Sequence, residues 1–419
     1  MNIEIINTGS ELMLGRVLNT HQQWLCRRLA DLGHIATRQV AVSDAANEIQ
    51  QAVRESLSRA ELVITTGGLG PTSDDLTREL IADLLGKKLI ENPAVLAHIE
   101  DFFARRNRPR PARTSVETFV PEGATVFLNQ YGTAPGLAMK VDPNPFSAVN
   151  RSAWLIMLPG PPRELRPMFD KSVMPFLQLE LPSETFVCRT LRSTGIGESI
   201  VQEMVETQLL PLMKTGLGVG YCARPGAVDV RLTASGSGAP ETVRQGEAIV
   251  KKILGANVYG WDDDEIENVV VMGLADRKKT LALAESCTGG LIAHRVTNVP
   301  GASEVFLGGV VGYADSTKET FLGVEPEILH TQGAVSESVA REMAAGARER
   351  FGADFALAVT GIAGPGGGTP DKPVGTVFIA LATTAGVQVK KNFNPWDRET
   401  FKQVTAQQAL EMLRRELIL

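Results

Sequence analysis

Thr280-Leu-Ala-Leu-Ala-Glu-Ser-Cys-Thr-Gly-Gly290 is an apolar run that passes into small and hydroxyl-bearing residues, and the helical pattern Leu291-Ile-Ala-His-Arg-Val296 follows it. The order predicts a buried strand, a tight turn and a helix, with Ser286 in the turn. In α/β proteins such turns lie beyond the carboxyl ends of strands, where ligands bind. Ser286 is a candidate nucleophile, and Gly289 and Gly290 let a ligand approach the backbone. The first N–H groups of the helix are expected to be unpaired and able to stabilise an anion. A helix cap made by Ser286 or Thr288 would account for the same segment without any chemistry. The strands around it decide between the two.

Residues 304–313 read as a neighbouring strand ending at Tyr313-Ala-Asp-Ser-Thr-Lys318. Asp315 is expected to cap a helix running to Phe321, which puts Lys318 in its first turn and brings Tyr313 and Lys318 into the crevice of Ser286. A serine hydroxyl needs a base; a lysine in a buried or electropositive setting supplies one, and a tyrosine can relay or orient the proton. Taken alone, Lys318 reads as a solvated helix residue and Tyr313 as a half-buried strand aromatic. Cys287 is a rival nucleophile of lower intrinsic pKa. Phe355-Ala-Leu-Ala-Val-Thr360 is a third strand, opening into Gly361-Ile-Ala-Gly-Pro-Gly-Gly-Gly368, whose backbone N–H groups suit an oxyanion or a phosphate. Residues 374–381 extend the sheet. Asp397-Arg398 opens a last helix, where Arg398 either meets a phosphate or forms a surface ion pair.

The 419 residues allow about three domains, and 43% apolar with 21% charged residues is an ordinary globular balance. Met1-Asn-Ile-Glu runs straight into a strand pattern with no basic and apolar leader, and no run approaches the length of a membrane span. A cytoplasmic protein with no membrane partner is expected. Cys26, Cys188, Cys222 and Cys287 form no C-x-x-C pair, which argues against a zinc site and a disulfide framework. A net charge of −6 argues against nucleic acid or anionic lipid as a general partner.

At the amino-terminal end, residues 2–8, 35–42 and 62–66 read as strands. Between them lie a helix carrying Leu18, Leu25, Leu29 and Leu32 and a second, capped by Ser43-Asp44, that runs to about Leu57. This alternation implies a mostly parallel sheet covered on both faces. The third strand ends in Thr66-Gly-Gly-Leu-Gly-Pro-Thr-Ser-Asp-Asp75. Gly67, Gly68 and Gly70 permit a turned backbone whose N–H groups surround an anion, and Asp74 and Asp75 offer oxygen ligands to Mg²⁺ or a similar divalent ion. The same aspartates could simply cap a helix over residues 76–85. Neither a Walker loop nor a clean G-x-G-x-x-G occurs, which excludes an ordinary nucleoside triphosphatase or dinucleotide oxidoreductase. Arg105-Arg-Asn-Arg-Pro-Arg-Pro111 reads as an exposed loop without assigned function. Gly132-Thr-Ala-Pro-Gly136 and Leu158-Pro-Gly-Pro-Pro-Arg-Glu164 are rigid turns able to wall a cleft.

From residue 176 the pattern changes. Strands near 186–191, 217–221 and 228–233 with helices near 200–210 and 241–254 make a small α+β unit. It lacks a G-x-x-G loop, the clamp of nucleic-acid-binding KH domains, and is read as a spacer or dimerisation unit, with a homodimer expected. Trp261-Asp-Asp-Asp-Glu265 is a polar junction. The expected domains are residues 1–175, 176–261 and 262–419.

Gly9-Ser-Glu-Leu12, Thr66-Gly-Gly-Leu-Gly-Pro71, Asp74-Asp-Leu-Thr77, Gly132-Thr-Ala-Pro-Gly136 and Leu158-Pro-Gly-Pro-Pro162 together resemble the amino-terminal half of the competence/damage-inducible CinA family. The resemblance implies a molybdopterin-binding-like α/β sandwich and metal-dependent hydrolysis of ADP-ribose; Ser10 stands where the family usually has Thr, and His21 where it has Asn. It also implies a KH-like middle domain. Ala284-Glu-Ser-Cys-Thr-Gly-Gly290, Gly312-Tyr-Ala-Asp-Ser-Thr-Lys318, Gly333-Ala-Val-Ser336, Thr360-Gly-Ile-Ala-Gly-Pro365 and Lys372-Pro-Val-Gly-Thr376 are similar to the family's α/β carboxyl-terminal, nicotinamide-nucleotide amidohydrolase domain. There the resemblance implies deamidation of nicotinamide mononucleotide without a metal, Ser286 as nucleophile, Lys318 and Tyr313 as its acid/base partners, and Thr288, Gly289, Thr360, Gly361 and Arg398 at the substrate. Two other classes compete: a non-catalytic nucleotide- or molybdopterin-binding module, and a DNA-uptake accessory protein. The acidic charge and the missing G-x-x-G disfavour the second.

Overall fold

The computed structural model describes residues 1–181 and 185–418. The chain divides into two compact units, Met1–Phe186 with Ser235–Ser237, and Val187–Ala234 with Gly238–Leu419.

In the first unit, strands Arg38–Val42, Ile3–Thr8, Leu62–Thr66 and Ala153–Leu158 run parallel, and Gly136–Val141 and Thr125–Phe127 complete the sheet antiparallel. Alternation along each strand feeds two cores. Ile3, Ile5, Leu62 and Ile64 pack on one face; Ile6, Val63, Leu155 and Met157 pack on the other. The buried Glu4 on the second face is compensated by Arg59 (2.6 and 3.0 Å) and the Ser56 hydroxyl (2.7 Å). Register aligns Asn7 with Thr66 and Thr66 with Leu158, so three strands end together and their loops become neighbours.

Several local expectations change. Leu18 is 82% exposed and precedes the helix Thr20–Asp31, because the Asn19 side chain accepts from the His21 and Gln22 N–H groups and starts the helix two residues after Leu18. Ser43-Asp44 does not cap Ala46–Leu57 directly; Ala45 holds that position, and the Asp44 carboxylate accepts from the Ser10 N–H (2.7 Å) instead. The basic run follows the helix Pro93–Ala104, and two of its arginines make local contacts. Arg105 pairs with Asp101 (2.6 Å) and Arg106 lies over the Phe102 ring (3.5 Å).

The second unit holds two sheets. Gly218–Arg224, Ala227–Ser235, Phe186–Thr194 and Val258–Trp261 form one, with helices Glu198–Met213 and Ala239–Leu254 packed on it. The other has Phe306–Val311, Leu281–Glu285 and Phe355–Gly361 in parallel, then Thr376–Thr383 and Gly386–Phe393 antiparallel. One face of this sheet carries large aliphatics such as Leu281, Leu283, Leu357 and Ile379 against the helices Ile266–Asp276 and Arg398–Ile418. The other carries Ala282, Ala284, Ala356, Ala358, Ala380 and Ala382 against Glu337–Phe351. An alanine face lets that helix sit close, and none of the described helices is long and apolar enough to cross a membrane.

Close packing extends to the helix Asp315–Leu322. A Cβ on Gly346 would lie 1.7 Å from the Leu322 carbonyl oxygen, a backbone atom that cannot swing aside. Gly346→Ala is therefore expected to destabilise the protein by about 3 kcal/mol, read as a lowered midpoint of urea unfolding. An unchanged midpoint would show that the two helices are not in this contact.

Candidate active sites

Glu285 ends its strand with the side chain buried. Its carboxylate accepts from the N–H groups of Gly290 (3.0 Å), Ile292 (3.1 Å) and Ala293 (2.8 Å). The start of the helix Leu291–Thr297 is thus closed by an internal anion, not left open for a ligand. Neither Ser286 nor Thr288 caps it, since the N-cap is Gly290 in a left-handed conformation (φ 92°). Ser286 remains in the turn, its N–H bonded to the Val359 carbonyl of the adjoining strand (3.0 Å) and its residue 9% exposed.

Ser286, Tyr313, Lys318, Thr360, Gly361 and Arg398 all line one cavity of about 210 Å³. Thr288 and Gly289 are not in its wall: Thr288 is fully buried, and Gly289 is on the exposed side of the turn. Lys318 is 1% exposed, and its Nζ donates to Asp315 Oδ1 (2.9 Å) and the Tyr313 carbonyl (3.3 Å). Asp315 is not the helix cap, a position Ala314 holds, but the ion partner of Lys318 from within the first turn. Tyr313 is exposed rather than half-buried, and its hydroxyl accepts from Arg398 (2.7 Å). Arg398 also donates to the Gly364 carbonyl (3.1 Å), so one guanidinium ties the tyrosine to the glycine-rich loop, and it forms no ion pair among the described residues. The Thr360 hydroxyl donates to the Ala334 carbonyl (2.7 Å). Burial, with the Glu285 carboxylate adding to it, pushes the Cys287 thiol up to about 12. Cys287 lines the same cavity, and a thiol raised in this way carries little thiolate at neutral pH, which favours Ser286 over it as the nucleophile.

In the first unit, Gly67, Gly68, Gly70, Asp74 and Asp75 line a cavity of about 700 Å³ together with the turns at 132–134 and 159–164. Gly68 is left-handed (φ 68°), and a Cβ there would lie 2.1 Å from the Thr77 hydroxyl oxygen, so this turn accepts glycine alone. Asp74 and Asp75 do not cap the helix Thr77–Leu84. Both carboxylates meet at the Thr72 hydroxyl, and Asp75 also accepts from the Thr72 N–H (3.0 Å). The Thr72 hydroxyl holds the Asp74 carboxyl below the usual carboxylate range. Such a hard-oxygen pair fits a Mg²⁺ that takes its other ligands from phosphates and water. Among the described residues no three His, Cys, Asp or Glu side chains gather at a point that could hold a metal alone. His21 donates from Nε2 to the Gly160 carbonyl (2.5 Å), and burial lowers its pKa. Glu164, at the end of the turn expected to wall a cleft, lines this cavity, and so does Glu117, which is absent from the sequence-based expectations.

Comparison with known proteins agrees with this architecture. Residues 263–417 match the CinA C-terminal domain family, residues 4–179 the family described as "Probable molybdopterin binding domain", and residues 188–260 the damage-inducible protein CinA KH domain family. A CinA-like protein of Akkermansia muciniphila is 45% identical over 98% of this chain and 96% of its own length. A competence-damage inducible protein of Moorella thermoacetica is 42% identical over 100% and 99%. The solved competence/damage inducible protein of Agrobacterium tumefaciens is 41% identical, covering 37% of this chain and 94% of its own, with a TM-score of 0.36. The chain belongs to the CinA family, and combines molybdopterin-binding-like, KH and CinA carboxyl-terminal domains.

The state of Cys287 is open to direct measurement. At pH 8 iodoacetamide should label exposed Cys222 first and Cys287 last, with about a thousandfold less thiolate at Cys287 than in an ordinary thiol. Labelling of both at one rate, followed by peptide mass spectrometry, would restore Cys287 as a nucleophile.

Proposed function

We propose that the protein is a pyridine-nucleotide hydrolase with two sites. In the carboxyl-terminal cavity the Ser286 hydroxyl attacks the carboxamide carbon of nicotinamide mononucleotide. Lys318 takes the proton and returns it to the departing ammonia; water then releases nicotinate mononucleotide from the acyl-serine. Asp315 orients Lys318, and Arg398, already holding Tyr313, presents remaining N–H groups to the substrate phosphate. The observation that carries this assignment is the convergence of Ser286, Lys318, Tyr313 and Arg398 on one small cavity from the ends of separate elements.

In the amino-terminal cavity the ligand is ADP-ribose, hydrolysed to AMP and ribose 5-phosphate. The glycine turn at 67–70 receives the pyrophosphate, and Asp74 and Asp75 would hold a divalent ion that neutralises it.

Two assays test the sites separately. Ammonia release from nicotinamide mononucleotide should fall at least about 10³-fold in Ser286→Ala and persist in Cys287→Ala; no release by the folded wild type would defeat the amidohydrolase assignment. Asp74→Asn with Asp75→Asn should lower AMP formation from ADP-ribose by at least about 100-fold while ammonia release stays unchanged. Saturable ADP-ribose binding without turnover in the wild type would make that domain a binding module.

A further inference from the structure

Glu117 lies in the short helix Ala112–Thr118, is fully buried, and forms part of the wall of the amino-terminal cavity. Its Oε1 accepts from the Thr133 hydroxyl (3.0 Å), and its Oε2 has no hydrogen-bond partner among the described residues. The groups facing it are mostly acidic. Asp75 approaches from the loop before the helix Thr77–Leu84, and Glu164 from the first turn of Pro162–Met168. The facing cation is Arg78, whose guanidinium is already engaged by the Leu69 carbonyl (3.3 Å) and by Glu79. His98, on Pro93–Ala104, is turned to the Asn129 (2.7 Å) and Gly132 (3.3 Å) carbonyls.

A buried carboxylate oxygen without a donor is costly to keep charged. Burial pushes the Glu117 carboxyl up to about 7, and the Thr133 hydroxyl and Arg78 offset only part of that; Asp75 and Glu164 add to the rise. A pyrophosphate seated on the glycine turn at 67–70 brings further negative charge into the same cavity. We propose that Glu117 makes this a proton-coupled anion site: the phosphate-bearing ligand binds with uptake of one proton on Glu117, whose neutral carboxyl then offers an O–H donor where the carboxylate would repel. The inference rests on the assignment of the cavity to a nucleotide pyrophosphate. It predicts that affinity is lost as pH rises through neutrality.

The test is calorimetric titration of the full chain with the non-hydrolysable α,β-methylene analogue of ADP-ribose, in EDTA, from pH 6 to 8.5, in buffers of different ionisation enthalpy. The analogue has no ionisation in this range, and His21, its pKa lowered by burial, is already neutral over the upper half. The wild type should take up about half a proton or more per ligand at pH 7.5, with Kd rising up to about tenfold per pH unit above 7. Glu117→Gln should show no uptake and a Kd constant within about twofold, and Thr133→Val, which removes a donor to the carboxylate, should move the inflection to higher pH. As a folding control, Glu117→Gln should melt no lower than the wild type at pH 8, because a raised carboxyl pKa destabilises the fold above it. Binding without proton uptake, or the same pH dependence in Glu117→Gln, would overturn the inference and leave the nucleotide assignment intact. No binding at any pH in EDTA would overturn the inference, and no binding with Mg²⁺ added would overturn the nucleotide assignment as well. Binding with uptake but without hydrolysis of ADP-ribose in Mg²⁺ would end the hydrolase assignment and leave the proton coupling standing.

Discussion

The Glu285 carboxylate, accepting three backbone N–H groups at the start of the next helix, fixes the carboxyl-terminal site. A buried charge is tolerable only when its oxygens are satisfied, and a helix start is stable only when its donors are. Each requirement meets the other here, within a turn closed by left-handed Gly289 and Gly290. Ser286 is the residue between that carboxylate and the rest of the turn, so its position follows from the strand behind it and the helix ahead of it. The helix dipole is consumed internally, which leaves positive charge at the site to side chains: Arg398 from one helix, and Lys318 from another once it holds a proton.

The two cavities differ in size and in charge. The carboxyl-terminal one is small and places two cationic side chains beside the serine. The amino-terminal one is larger, and its glycine turn at 67–70 faces carboxylates from several loops. Backbone N–H groups attract phosphate, yet the acidic wall opposes it unless a cation or a proton intervenes. In the proposed function Asp74 and Asp75 hold the cation, and in the proposed proton coupling Glu117 supplies the proton. Both conditions arise from the alignment of three parallel strands that end at Thr8, Thr66 and Leu158.

Elements with strong periodicity were legible in the sequence. The strands around Ile64, Leu283 and Leu357 are continuous apolar runs because helices cover both faces of their sheets, and the turn containing Ser286 follows from the change to small residues. The crevice shared by Ser286, Lys318 and Tyr313 was likewise readable from strand ends. Partnerships across space were not. Asp315 reads as a cap from its position before a helix, and only the buried Lys318 three residues on turns it into an ion partner. Glu285 did leave a trace, a lone acid ending an apolar strand, whereas Glu117 lies in a short irregular helix with no periodic signal, and its burial is decided by segments distant in the chain. Leu18 fits a helical spacing by coincidence, since the Asn19 cap begins the helix after it.

Arg398 has a consequence in time as well as in space. It opens the helix Arg398–Ile418, anchored in the core by Phe401, Leu410, Leu413 and Leu417, and it reaches back to Tyr313 and the loop at Gly364. Ser286 precedes it by 112 residues. At the usual pace of synthesis the turn bearing Ser286 is made on the order of 10 s before the arginine that completes its cavity. The sheet also waits, because Thr376–Thr383 and Gly386–Phe393 are translated in that interval and close its far side. A nascent chain therefore carries the serine in an unfinished pocket, and the Arg398 contacts with Tyr313 and Gly364 are among the last parts of it to be made.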